Sequence, residues 1–260
     1  MNPSLATERA RKLAYGLQDW DIVEPRPATT VMLLRDDEAG LHTFLMRRPL
    51  SMKFAPGMHV FPGGAIDPED QLAPHILDPR YPLDAVAARA STTAPVLSAG
   101  IAAAIREVHE EAGVNLAAAP LTESSFALID HWVTPAFETR RFDVSFFVAL
   151  MPEGQQAHAA SAESEFTCWI TPAEALQRHQ AGDMPMLQPT LASLGMLNQY
   201  PTVAAVMDYA RTCAVTPRTP MPVPDGRGGV RWQLVHAYTG EVLADDTGAP
   251  GDLETEGVRQ

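Results

Sequence analysis

The chain has 260 residues, of which 46% are apolar and 20% charged, and its formal net charge is −13. That length buries a core without covalent staples, while the negative field excludes wrapping a polyanion such as nucleic acid. Cys168 and Cys213 form neither a CxxC pair nor a disulfide framework, and no run approaches ~18 apolar residues, so a zinc site, a disulfide scaffold and a membrane span are not expected. The expected setting is the reduced cytoplasm. The expected partner is a small anionic substrate, and the composition leaves room for a homodimer.

Taken in chain order, residues 1–20 predict a short helix and residues 24–30 (EPRPATT) a loop. Thr29–Arg35 is β-branched and apolar and predicts a buried strand. The turn DDEAG then leads into Leu41–Arg47 as its hairpin partner. Phe54–Phe61 runs into a PGG turn. Residues 65–98 are rich in Ala, Pro and Asp and predict loop, with a short helix at Leu83–Ala90. A helix follows over 99–112, with Ser98 placed to cap it and Gly113 suited to a left-handed end. Phe126–Val133, Phe142–Leu150 and Thr167–Ile170 read as strands. A helix over Pro172–Gln180 has proline at its first position. Residues 189–198 and 202–214 predict helices, and 215–229 is broken by four prolines and three glycines. Val230–His236 reads as the last strand, before an acidic tail. The expected organisation is an N-terminal helix and linker (1–27), a main domain (28–215) and an extension (216–260). Strands and helices do not alternate regularly, which predicts an α+β or mixed-sheet sandwich fold rather than a doubly wound one.

The chemistry concentrates in IAAAIREVHEEAGV, residues 101–114. With Glu107 at the origin of a helical wheel, Glu110 falls near about 300° and Glu111 near about 40°. Ile101, Ile105, Val108 and Ala112 form a separate apolar stripe. One face therefore packs on a core and another presents three carboxylates. Arg106 falls near about 260° and is expected to point elsewhere. A solvated acidic face is the plain alternative, whereas clustered oxygen ligands suit Mg²⁺ or Mn²⁺.

The segment from Arg106 to Val114 reads Arg-Glu-aliphatic-x-Glu-Glu-x-Gly-aliphatic and resembles the second half of the Nudix signature. Upstream, Phe61-Pro62-Gly63-Gly64 with Asp70 looks like the first half. Asp70 and Arg106 are separated by 35 residues, where the signature has seven, so the motif is interrupted by about 28 residues, within 71–98. An interruption of this kind resembles the peroxisomal acyl-coenzyme A diphosphatase branch. So do Trp132-Val133-Thr134-Pro135, Arg140-Arg141-Phe142-Asp143 and Trp169-Ile170-Thr171-Pro172. The coenzyme A element Arg-x₄-Arg-x₃-Gly-x₃-Phe-Pro-Gly-Gly appears as Arg48, Lys53, Gly57 and Phe61–Gly64, with lysine in place of the second arginine.

The resemblance implies a Nudix fold, a mixed β-sheet between α-helices, here with extra C-terminal helices. It implies Glu107, Glu110 and Glu111 as metal ligands, with the Gly64 carbonyl and Mg²⁺ or Mn²⁺ as cofactor. Arg106 would orient a carboxylate, and Asp70 would support the fold. A further acid from a later loop is expected, Glu163 in preference to Glu165. Arg48, Lys53, Gly63, Gly64 and Arg141 are the expected substrate contacts. The implied reaction is hydrolysis of coenzyme A or acyl-coenzyme A to 3′,5′-ADP and a phosphopantetheine. The alternatives are ADP-ribose, NADH or another nucleoside diphosphate derivative, or a non-catalytic nucleotide-binding regulator. The latter is disfavoured because all the acids are present.

Overall fold

A computed structural model describes residues 3–52, 55–160 and 166–245. The chain divides into two compact units. The larger comprises residues 28–130 and 145–215, and the smaller comprises 1–27, 131–144 and 216–260.

In the larger unit, β1 (Arg26–Asp37) and β2 (Gly40–Arg47) form the expected hairpin, with Leu34 opposite Thr43 and Asp37 opposite Gly40. The Asp37 carboxylate accepts the Ala39 N–H at 2.9 Å and closes the turn. Val31, Met32, Leu33 and Leu34 are all buried in succession, as in a strand covered on both faces. β5 (Phe126–Val133) and β6 (Phe142–Leu150) continue the sheet in the order β5-β6-β1-β2. β3 (His59–Val60) and β7 (Phe166–Ile170) both pair with β2, and β4 (Gly63–Ala65) pairs with β1. The expected PGG turn is thus in part a short strand.

The helices of this unit are α2 (Leu83–Arg89), α3 (Ala94–Ala112), α4 (Pro172–Gln180), α5 (Gln188–Leu197) and α6 (Val203–Ala210). α3 packs on β4 and α2, and α4 packs on β2 and α5. The stripe Ile101, Val108 and Ala112 is buried as its spacing requires, beside the stacked pair Phe126 and Phe147, 4.9 Å apart. α3 starts five residues before the expected boundary. Thr93 precedes it, a proline stands in its first turn, and Ser98 lies inside the helix rather than at its cap. Pro95, taken as loop chemistry, is the residue type that opens helices.

In the smaller unit, α1 (Pro3–Ala14) packs against β8 (Arg218–Pro224), which pairs with β9 (Val230–His236); β10 (Val242–Asp245) pairs with β9 in turn. Ala10, Phe137 and Trp232 form its core. β8 was not expected, because RTPMPVP reads as loop. Its prolines at 220, 222 and 224 alternate, so every missing N–H falls on one edge and the other edge remains free to pair with β9. Among the described residues, no helix is long and apolar enough to cross a membrane.

Candidate active site

α3 brings the acids to the Gly63-Gly64 strand. Glu111 is buried, and its carboxylate accepts the Gly63 N–H at 2.8 Å. A Cβ built on Gly64 falls 2.2 Å from the Glu107 carboxylate, and one built on Gly63 falls 2.2 Å from the Thr29 carbonyl oxygen of β1. Both glycines are therefore required by close approach, Gly63 to a neighbouring strand and Gly64 to an acid. Glu110, one helical turn on from Glu107, has a side chain 55% exposed.

Arg106 does not point away from this face. Its Nη1 donates to Glu107 Oε1 at 2.7 Å and to Glu110 Oε2 at 3.4 Å. Its Nε and Nη2 donate to the two oxygens of Asp70, each at 2.9 Å, and Nη2 also reaches the Ala65 carbonyl at 3.0 Å. The Cβ direction on a wheel does not fix where a long guanidinium ends, so one cation partly neutralises the acidic face. The bidentate Arg106 pair holds the Asp70 carboxyl below its ordinary range, and Asp70 in turn raises the guanidinium pKa.

Beyond α3, Gly113 adopts φ +68, the left-handed end expected of it. It is also pressed by His158, whose ring lies 2.4 Å from a Cβ placed there. The His158 N–H bonds the Ala112 carbonyl, and the Ala160 N–H bonds the Glu111 carbonyl at 3.1 Å. Gln155 exchanges two hydrogen bonds with the Asn115 backbone. Residues 155–160 thus lie along the C-terminal end of α3. Sequence reasoning missed this contact, since its only trace is the double demand on Gly113. Glu163 and Glu165 follow directly in the chain but lie outside the described residues.

Arg48 opens the loop to Met58. Its N–H bonds the Met58 carbonyl and its carbonyl accepts the Gly57 N–H, both at 3.0 Å, with Gly57 at φ +73. Lys53 lies outside the described residues. Arg141 belongs to the smaller unit, where its guanidinium donates to the Thr134 carbonyl at 3.0 Å and the Val23 carbonyl at 2.7 Å. A groove of about 280 Å³ runs beside the Arg106–Asp70 pair, walled by Leu72, Ala73 and Ile76 of the interruption and by Ala102 and Ile105 of α3.

Among the described residues no three acids, histidines or cysteines converge as a ready metal cluster. Glu111 is turned to Gly63, and Glu107 to Arg106. The donor chemistry nonetheless fits Mg²⁺ or Mn²⁺, since the hard oxygens of Glu107, Glu110 and Glu111 rise from one helix and Gly64 leaves the space beside Glu107 clear.

Residues 99–188 match the model of the NUDIX domain. Among solved structures, the chain is similar to a NUDIX hydrolase from Alicyclobacillus acidocaldarius, with a TM-score of 0.58 and 24% identity over 76% of this chain and 100% of that one. It is less similar to the NUDIX domain of Shewanella oneidensis NrtR complexed with ADP ribose (TM-score 0.44, 17% identity, 72% and 96% covered). A C. elegans Ap4A hydrolase binary complex is more distant still (0.39, 15%, 67% and 93%). The fold is that of a Nudix domain.

Proposed function

We propose that this Nudix-fold chain is a metal-dependent diphosphatase that hydrolyses coenzyme A or an acyl-coenzyme A to 3′,5′-ADP and a phosphopantetheine. The observation that carries the hydrolase is the Arg106 fork, which joins Asp70 to Glu107 across the interruption and so reunites the two halves of the signature. A chain selected only to bind a nucleotide has no need to keep Glu107, Glu110 and Glu111 on the helix that meets Gly63 and Gly64.

Glu107, Glu110 and Glu111, with the Gly64 carbonyl, are the groups proposed to hold Mg²⁺ or Mn²⁺. Bound there, the ion would supply neutralising charge for the diphosphate and a Lewis acid for an attacking water. Arg106 aims the Glu107 carboxylate, and Glu111 ties the helix to the Gly63 backbone. Glu163 is the acid proposed to take the proton of the attacking water, because Ala160, three residues before it, is bonded to the Glu111 carbonyl.

The coenzyme A assignment rests on the element from Arg48 to Gly64. The closed Arg48–Met58 loop carries Lys53 at its middle, and the two cations are proposed to meet the 3′-phosphate. The insertion-walled groove offers a place to a part of the substrate beyond the diphosphate. The test is release of product from coenzyme A, acetyl-coenzyme A, 3′-dephospho-coenzyme A, ADP-ribose and NADH with Mg²⁺ or Mn²⁺. Coenzyme A compounds are expected to be cleaved best, with Arg48→Ala raising KM for coenzyme A by about ten- to a hundredfold and for the dephospho compound much less. Preference for ADP-ribose or NADH overturns the coenzyme A assignment. Lack of turnover on the whole panel overturns the hydrolase.

A further inference from the structure

Three strands of the larger unit meet at Arg47. Its partner across β3 is His59, and its partner across β7 is Phe166. Directly opposed residues put their side chains on the same face, with Cβ atoms about 4.5–5.5 Å apart, so imidazole, guanidinium and phenyl form one row. Cys168, opposite Leu45, stands on that face two residues along. Arg178 lies on α4, which packs on β2, and its charge acts on both His59 and Cys168.

The row is cationic and its polar atoms are not fully used. His59 is 5% exposed, and its Nδ1 has no hydrogen-bond partner. That nitrogen leaves a hydrogen-bonding position unused. Burial together with the charges of Arg47 and Arg178 lowers the His59 pKa, and no acid among the described residues acts on it. Among the described residues, Arg178 pairs with Glu174 at 3.9 Å on the same helix. A guanidinium set opposite a buried imidazole, with the charge of a second acting on that imidazole, calls for an anion even in a chain of net charge −13.

We propose that Arg47, His59 and Arg178 form a phosphate-binding site, with Phe166 as its apolar wall. The guanidinium groups match phosphate oxygens with paired donors, and His59 Nδ1 supplies one more when it carries the proton. Phe166, 51% exposed at the end of the row, offers a ring face to a planar base attached to that phosphate. The site uses none of the residues assigned to hydrolysis, so binding and turnover fail or succeed separately.

The test is titration of the full-length, ¹⁵N-histidine-labelled chain with inorganic phosphate and, in a second arm, with AMP, following the His59 ring resonances. Saturable shifts are expected. Arg47→Gln and Arg178→Gln should each weaken binding by about ten- to a hundredfold, while Arg80→Gln, an exposed control, leaves it unchanged. Should a glutamine variant unfold, Arg47→Lys carries the test, because it keeps the charge without the fork and is expected to bind measurably more weakly. AMP binding tighter than phosphate, with the gain lost in Phe166→Ala, assigns a nucleotide phosphate; equal binding assigns free phosphate. Absence of a saturable shift with both probes, or unaltered affinity in the folded arginine variants, overturns the proposal.

Discussion

Arg106 makes more of the site than any other side chain, and its consequences can be measured. The Asp70 side chain is 7% exposed and both its oxygens accept from Arg106. Asp70→Asn keeps the shape and removes the charge, so it should destabilise the fold by about 2 kcal/mol at pH 7. Because the folded-state pKa of Asp70 is depressed, its contribution is present above the unfolded value of about 3.9 and is lost as pH falls through the lower folded value. Urea unfolding at pH 7 and near pH 3 should therefore show the gap between wild type and Asp70→Asn closing in acid. An equal gap at both pH values would falsify the assignment. Glu111→Gln should leave a folded protein whose turnover at saturating metal is lower by orders of magnitude, since Glu111 is both a proposed ligand and the acceptor of the Gly63 N–H. Near wild-type turnover would remove it from the ligand set. The i, i+3, i+4 spacing made the three acids legible in the sequence. The arginine's path was not, because a wheel records directions at Cβ and says nothing of a flexible side chain beyond it.

At the level of elements, the adjacent glycines separate two functions. A Cβ at Gly63 strikes the backbone carbonyl of Thr29, which cannot yield without parting β4 from β1. A Cβ at Gly64 strikes a carboxylate at the end of a side chain, which can swing aside. Gly63→Ala is thus expected to cost about 2 kcal/mol or more in stability, and Gly64→Ala to lose turnover with little change in melting temperature. Thermal unfolding beside steady-state kinetics distinguishes them, and the reverse pattern would exchange their roles. Most elements were visible from periodicity: β1, β2, β5, β6, β7 and β9 fall on the apolar β-branched runs, and α4 on its proline start. β8 was hidden because proline is scored as a breaker whatever its parity. The first turn of α3 was hidden because Pro95 lies in a stretch whose composition suggested loop.

For the molecule as a whole, the state of its two cysteines was legible in the sequence. The two thiols are unpaired. Burial raises the pKa of both Cys168 and Cys213, so at neutral pH each holds less thiolate than a free cysteine. Alkylation by iodoacetamide at pH 7.5 should accordingly be slower in the native chain than in urea, site by site by mass spectrometry, and the melting temperature should not depend on reductant. A native rate equal to the unfolded one at Cys213 would contradict its burial. By contrast, residues 131–144 fall in the smaller unit although they connect two strands in sequence, and nothing in their local pattern marks this. Substrate choice was equally illegible, since it depends on which loops approach the diphosphate and not on the acids that define the chemistry.

The Arg106–Asp70 fork also has an entropic meaning. It closes a loop whose 35 intervening residues stand where the signature has seven. Loop closure grows only with the logarithm of length, so the longer connection adds about 1.4 kcal/mol to the cost of joining its ends. One charge-assisted fork, contributing about 1.5–3 kcal/mol, is enough to offset that. The clasp therefore decouples the register of the active centre from the length of chain between its halves. Segments of other lengths could be grafted between residues 71 and 93, upstream of α3, with the metal-side residues left in place, so the interruption is the part of this molecule most open to redesign of what it accepts.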